Sequence, residues 1–94
     1  MIIAVDFDGT LQFADGNPNM TLISRLNKEQ KKGNIVILWT CREGKRLNEA
    51  LFFLQKYGFR PNLVNQNCPQ AIKMLGHDPR KVFADIYIDD KGIR

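Results

Sequence analysis

The sequence predicts an α/β domain whose strands run parallel, and three observations predict it. Short apolar runs at 2–5, 35–39 and 86–88 read as strands buried on both faces. Segments with helical spacing of apolar residues alternate with them, as crossovers between parallel strands require. Each run then ends in polar residues: Asp6-Phe7-Asp8-Gly9-Thr10 after the first, Thr40-Cys41-Arg42 after the second, Asp89-Asp90 after the third. Open parallel sheets gather their sites at that edge.

The elements follow in order. Residues 2–6 make the first strand, and 7–19 a loop in which Leu11 and Phe13 ahead of Asp15-Gly16 suggest a small hairpin flap. Residues 20–32 are a helix with Leu22, Ile23 and Leu26 on its apolar side, closed by Gly33. The second strand spans 34–39, with Trp39 expected in the core beside Ile37. A second helix spans 45–57, carrying Leu47, Ala50, Leu51 and Leu54 on one face, with Phe52 and Phe53 also expected in the core. A weak third strand at 62–65 precedes a short helix opened by Pro69 and reaching about Leu75. His77 reads as a turn residue, and 82–88 contains the last strand. The strand order 3-2-1-4 brings the three polar ends together and leaves a crevice at the first strand, where the winding reverses.

Ninety-four residues make one domain, 1–94, with a thin core that invites help from a metal or from self-association. The net charge is +4 and the pI about 9.3, modestly basic. Lys28, Lys31 and Lys32 are the densest basic cluster. They read as a solvated helix face or, more sharply, as an attraction for phosphorylated or polyanionic substrates. Cys41 and Cys68 lack a Cys-x-x-Cys spacing, and His77 alone builds no zinc site. A reduced, cytoplasmic protein is expected: Met1 leads straight into a strand, and no apolar run approaches a membrane span.

Carboxylates as close as Asp6 and Asp8 repel unless a cation lies between them. If they and Asp89-Asp90 converge, hard oxygen ligands and waters suit Mg²⁺. Asp6 beside a phosphate can attack phosphorus in line and form an aspartyl phosphate. Asp8 can protonate the leaving oxygen and later deprotonate water. Thr40 can offer its hydroxyl and backbone N–H to phosphate oxygens, and a lysine can balance the transition-state charge.

These motifs, in this order along almost the whole chain, resemble those of the haloacid dehalogenase-like hydrolases. The resemblance implies a Rossmann-like three-layer core and Mg²⁺-dependent phosphatase activity on a phosphate monoester. It implies that Asp6 is the nucleophile, that Asp8 is the acid/base and gives its backbone carbonyl to the metal, and that Asp90 is a direct ligand supported by Asp89. Gly9, Cys41 and Arg42 fall beside the expected substrate phosphate, although Arg42 serves equally well in a salt bridge. The family's lysine matches Lys73, if its helix starts at the site. Lys81 is the alternative, reachable only through a bent connection, since an extended course leaves it roughly 20 Å away.

The chain departs from the family in two ways. Lys91-Gly92-Ile93 follow the paired Asp without the further acid the family usually carries, and neither 9–19 nor 66–81 has room for a cap domain. A capless site is open, which fits bulky substrates. The missing acid motivates a second reading, a catalytically weak binding or regulatory module. A phospho-receiver is disfavoured, because no Asp lies between Asp15 and Asp78 to serve as a mid-chain phosphoacceptor.

Overall fold

A computed structural model describes residues 1–93. Its strands are β1 (Ile2–Val5), β2 (Ile35–Leu38), β3 (Leu63–Val64), β4 (Ile86–Asp89) and β5 (Gly92–Ile93), and its helices α1 (Met20–Lys31), α2 (Gly44–Lys56) and α3 (Pro69–Leu75). They build one five-stranded sheet of order β3-β2-β1-β4-β5. The first four strands are parallel, in the expected order. Beyond the four expected strands there is a fifth: after a turn at Asp90-Lys91 the chain folds back antiparallel on β4, pairing Ile88 with Ile93 and Asp89 with Gly92. The sheet is therefore mixed, and a strand of two residues carries too little pattern to be read beforehand.

The order dictates the layers. Two steps from β1 to β3 run one way, and right-handed crossovers put α1 and α2 on one face; the return to β4 puts α3 on the other. The apolar side chains divide accordingly. Ile3, Val5, Val36 and Leu38 pack with Ile23 and Leu26 of α1 and with Ala50 and Leu54 of α2. Ala4 and Ile37 point the other way, onto Val82 and Ala84. Alternation along β1 and β2 thus feeds both faces, which is why their sequences read as unbroken apolar runs.

Helix termini follow their local chemistry. Asn19 caps α1, its side-chain oxygen accepting from Leu22 N at 3.2 Å, and Gly33 leaves the helix at φ +91°. Lys28 and Lys31 lie in the last turn of α1, where cations suit the helix dipole.

The last strand begins at Ile86, and residues 82–85 before it form a strap across the second face, fastened where the Tyr87 hydroxyl donates to Val82 O (2.6 Å) and accepts from Ala84 N (3.0 Å). Two expectations fail here. Trp39 lies past the end of β2 and is 39% exposed, because the strand stops one residue before it. Phe52 is exposed on the outer side of α2, and only Phe53 packs inward, edge-on to Phe7. Both cysteines are free thiols, Cys41 exposed and Cys68 buried. Among the described residues no helix is long and apolar enough to cross a membrane, and no cap domain interrupts the sheet.

Candidate functional site

The register brings the polar ends level. Val5 pairs with Leu38 on one side and with Ile88 on the other, so the residues that follow emerge together at the C-terminal edge. Ladder bonds continue one step beyond: Asp6 N donates to Ile88 O at 2.9 Å and Trp39 N to Val5 O at 2.8 Å. A cavity of about 300 Å³ opens there, lined by Asp6, Trp39, Thr40, Cys41, Asp89, Asp90 and Lys91.

Asp6 is half-buried, and its Oδ1 accepts from Phe7 N at 2.8 Å. Burial raises its pKa above the usual 3.8, the Phe7 bond opposes that, and the carboxylates of Asp8, Asp90 and Asp89 push it up further. Such a group asks for positive charge. Asp89 is tied into the β4–β5 turn, its Oδ1 accepting from Lys91 N at 2.8 Å.

Asp8 behaves differently. Arg42 grips both of its oxygens, Nε to Oδ2 at 3.0 Å and Nη2 to Oδ1 at 2.8 Å. That bidentate bond holds the Asp8 carboxyl below its ordinary value. Arg42 is itself locked, stacked 4.7 Å from the Phe7 ring centroid and donating from Nη1 to Arg46 O at 3.2 Å. Of the two roles expected for Arg42, the structure shows the salt bridge: its guanidinium serves Asp8 and the α2 backbone. The Asp8 side chain turns toward Arg42, which leaves its backbone carbonyl as the group expected to face a metal.

Thr40 is buried at the cavity wall. Its N–H donates to Asn65 Oδ1 at 2.8 Å, so that donor is spent within the protein. Its Oγ1 accepts from Arg42 N at 3.1 Å, which leaves the hydroxyl proton to give away. Asn65 was missed as the residue that orients Thr40; it holds φ +51°, a backbone region Asn tolerates better than most residues. Gly9 N donates to Gln12 O at 2.8 Å in the tight turn after Asp8. A Cβ on Gly9 would stand 3.4 Å from Asp90 Cβ, an ordinary contact, so what calls for glycine here is the φ of +77°. In the same turn Thr10 Oγ1 is buried without a hydrogen-bond partner.

The two lysines separate. Asn65 is level with the end of β2, yet Cys68 already lines a cavity with Met1, Ile2, Gly33 and Ile35 at the opposite edge of the sheet. The chain descends the second face before α3 begins. Gln70, Ala71 and Met74 line that same far cavity, so Lys73 rides on a helix at the wrong end and its expected role is corrected. Lys81 lies 5.9 Å from the Tyr87 ring centroid, and Tyr87 meets Trp39 edge-on at 5.8 Å, on the rim of the Asp6 cavity. The connection that carries Lys81 to Tyr87 is organised by buried Asn67, whose Nδ2 donates to Asp78 Oδ1 and Pro79 O at 3.0 Å each and whose Oδ1 accepts from Phe83 N at 2.6 Å. Lys91 on the cavity wall was also missed, although a lysine directly after Asp-Asp was a signal.

Fold and site together define a small α/β protein with an acidic cleft at the C-terminal edge of a mostly parallel sheet. No protein-family model matches the chain, and neither does any curated protein. Among solved structures it is similar to a conserved protein coded by a locus from Bacteroides thetaiotaomicron, at 34% identity and a TM-score of 0.80, over 100% of this chain and 81% of that one. The chain belongs to the family of that conserved protein.

Proposed function

We propose that this protein is a small, capless, Mg²⁺-dependent phosphohydrolase of the haloacid dehalogenase-like type, with a Rossmann-like core, acting on a phosphate monoester. The observation that carries the reading is one cavity walled by Asp6, Thr40, Asp89 and Asp90, delivered by the ends of three neighbouring strands. A half-buried Asp6 surrounded by three further carboxylates fits a hard divalent cation, with Asp6 and Asp90 as side-chain ligands and main-chain oxygen and water completing its shell. When bound, Mg²⁺ supplies charge neutralisation between the carboxylates and the incoming phosphate.

The chain's own groups then divide the work. A carboxylate oxygen of Asp6 attacks phosphorus; the bond to the leaving oxygen breaks, and an aspartyl phosphate remains. The Thr40 hydroxyl donates to a phosphoryl oxygen, and Lys81 offers the balancing positive charge from the rim. Water then attacks phosphorus, its proton passes to Asp8, and the bond to Asp6 breaks to release inorganic phosphate. Arg42 occupies both Asp8 oxygens and weakens the carboxylate as a base, so Asp8 works only once it has left Arg42 and taken up a proton, which it gives to the leaving oxygen before receiving one from the attacking water.

The Arg42–Asp8 pair also favours a second reading, a catalytically weak binding module in which Asp8 stays engaged. Phosphate release from a generic aryl phosphate in Mg²⁺ decides between them. Turnover that Asp6→Asn abolishes supports the enzyme; turnover undiminished by that change refutes Asp6 as nucleophile. Mg²⁺ binding without turnover over a broad phosphate-ester panel supports the module.

A further inference from the structure

The Asp6 cavity does not stand alone. Asp89 and Asp90 also wall a second cavity of about 360 Å³, whose other sides include Phe13, Thr21 and Arg25. Thr21 and Arg25 in turn wall a third, of about 410 Å³, that follows the exposed face of α1 to Lys28 and Lys32. The shared residues set these cavities side by side, in a row of depressions from Asp6 along α1.

Charge changes sign along this row, from acidic at Asp6, Asp89 and Asp90 to basic at Arg25, Lys28 and Lys32. The one acid in the outer stretch, Glu29, is already engaged by Asn34 Nδ2 at 2.8 Å and by Lys32 Nζ at 3.6 Å. Arg25 and Lys28 have no ion-pair partner among the described residues. The three cations climb the helix in steps of about 4.5 and about 6 Å. Two exposed rings flank the acidic end, Trp39 on the first cavity and Phe13 on the second. A row of cations beside exposed aromatic faces is the chemistry that holds single-stranded nucleic acid: phosphates along the row, bases on the rings. A small phosphate ester has no use for cations this far from Asp6.

Resting on the phosphohydrolase reading above, we propose that the substrate is a single-stranded polynucleotide carrying a terminal phosphate monoester. The terminal phosphate enters beside Asp6, the neighbouring bases stack on Trp39 and Phe13, and the following phosphodiesters run along Arg25, Lys28 and Lys32. In the reaction the bond from phosphorus to the terminal nucleoside oxygen breaks and water supplies the new oxygen, so the products are a hydroxyl end and inorganic phosphate.

The test uses labelled, end-phosphorylated oligothymidylates of increasing length and the full chain carrying Asp6→Asn, so that anisotropy reads binding without turnover. Affinity is expected to rise over the first about four nucleotides, with a log–log salt slope near −2 for three neutralised phosphates. Combining Arg25→Ala, Lys28→Ala and Lys32→Ala, all exposed positions, is expected to flatten that slope and weaken binding at least about tenfold. Affinity independent of length, a slope untouched by the triple variant, or equal binding of an acidic phosphopeptide overturns the proposal. Phosphate release is measured in parallel with the Asp6 protein in Mg²⁺. Length-dependent binding without any release upholds this surface as a polynucleotide site and removes the phosphohydrolase reading instead. Release from an aryl phosphate with no gain from oligonucleotide length does the reverse.

Discussion

Arg42 closes on both oxygens of Asp8, at 3.0 and 2.8 Å, and so fixes the second carboxylate of the Asp6-Phe7-Asp8 segment in its ionised form. Acid protonates and breaks this pair. Because the folded pKa of Asp8 lies below 3.8, the pair adds stability that is complete above that value and is lost as pH falls through the lower, folded value. Arg42→Gln is therefore expected to lower the melting temperature at pH 7, with the gap to the parent narrowing in strong acid. A gap that stays constant from neutral pH to below about pH 3 contradicts this.

Asp6 has the opposite sign. Its folded pKa is raised, so the ionised carboxylate works against folding above that value, and the deficit fades as pH falls toward 3.8. In metal-free buffer Asp6→Asn should raise the melting temperature at neutral pH, since the amide oxygen can still accept from Phe7 N. Phosphate release should fall by at least about a thousandfold, as expected on losing a nucleophile. Mg²⁺ should then stabilise the parent more than the variant, read by thermal unfolding with and without the ion.

Gly9 and Gly16 separate strain from function. Both sit at positive φ, +77° and +89°, but a Cβ meets Asp90 only at Gly9 and nothing within 4 Å at Gly16. Alanine at either should cost about 1–2 kcal/mol in denaturant unfolding. Only Gly9→Ala should also lower turnover, because the strained turn there lies between Asp8 and Asp90. Equal effects on turnover would show that Gly9 matters to the backbone alone.

Asn67 is buried and holds Asp78, Pro79 and Phe83 through one amide. Removing it in Asn67→Ala strands Phe83 N and two acceptors, at a cost of about 2–3 kcal/mol in chemical denaturation. A loss under about 0.5 kcal/mol, the range of ordinary surface changes, would mean water replaces the amide.

Lys81→Ala should lower kcat by about tenfold or more, as loss of a charge aimed at the transition state does, while Lys73→Ala should leave it within about twofold. The reverse result would put α3 at the site after all.

Much of the fold was legible because its signals are periodic. Unbroken apolar runs marked β1, β2 and β4, and the spacing of Leu22, Ile23 and Leu26 marked α1. The convergence of Asp6, Thr40 and the Asp89-Asp90 pair followed from requiring their polar ends to meet. What escaped depends on contacts between segments distant in sequence. The route of 66–85 is set by Asn67 and by the Tyr87 hydroxyl, and no local pattern announces either. Lys73 was preferred because a helix opened by Pro69 was expected to start at the site; the descent from Asn65 to Cys68 takes it elsewhere. The partner of Arg42 was equally hidden, since Asp8 lies 34 positions away.

The Tyr87 hydroxyl fastening the 82–84 strap has a thermal consequence. The face it covers holds a smaller buried apolar cluster than the face under α1 and α2, so amide hydrogens of the strap should exchange with solvent well before those of β1 and β2. Lys81 is attached to this strap. Heating should therefore silence the protein while most of the sheet is still intact, and Tyr87→Phe should lower that inactivation point further than it lowers the midpoint of global unfolding.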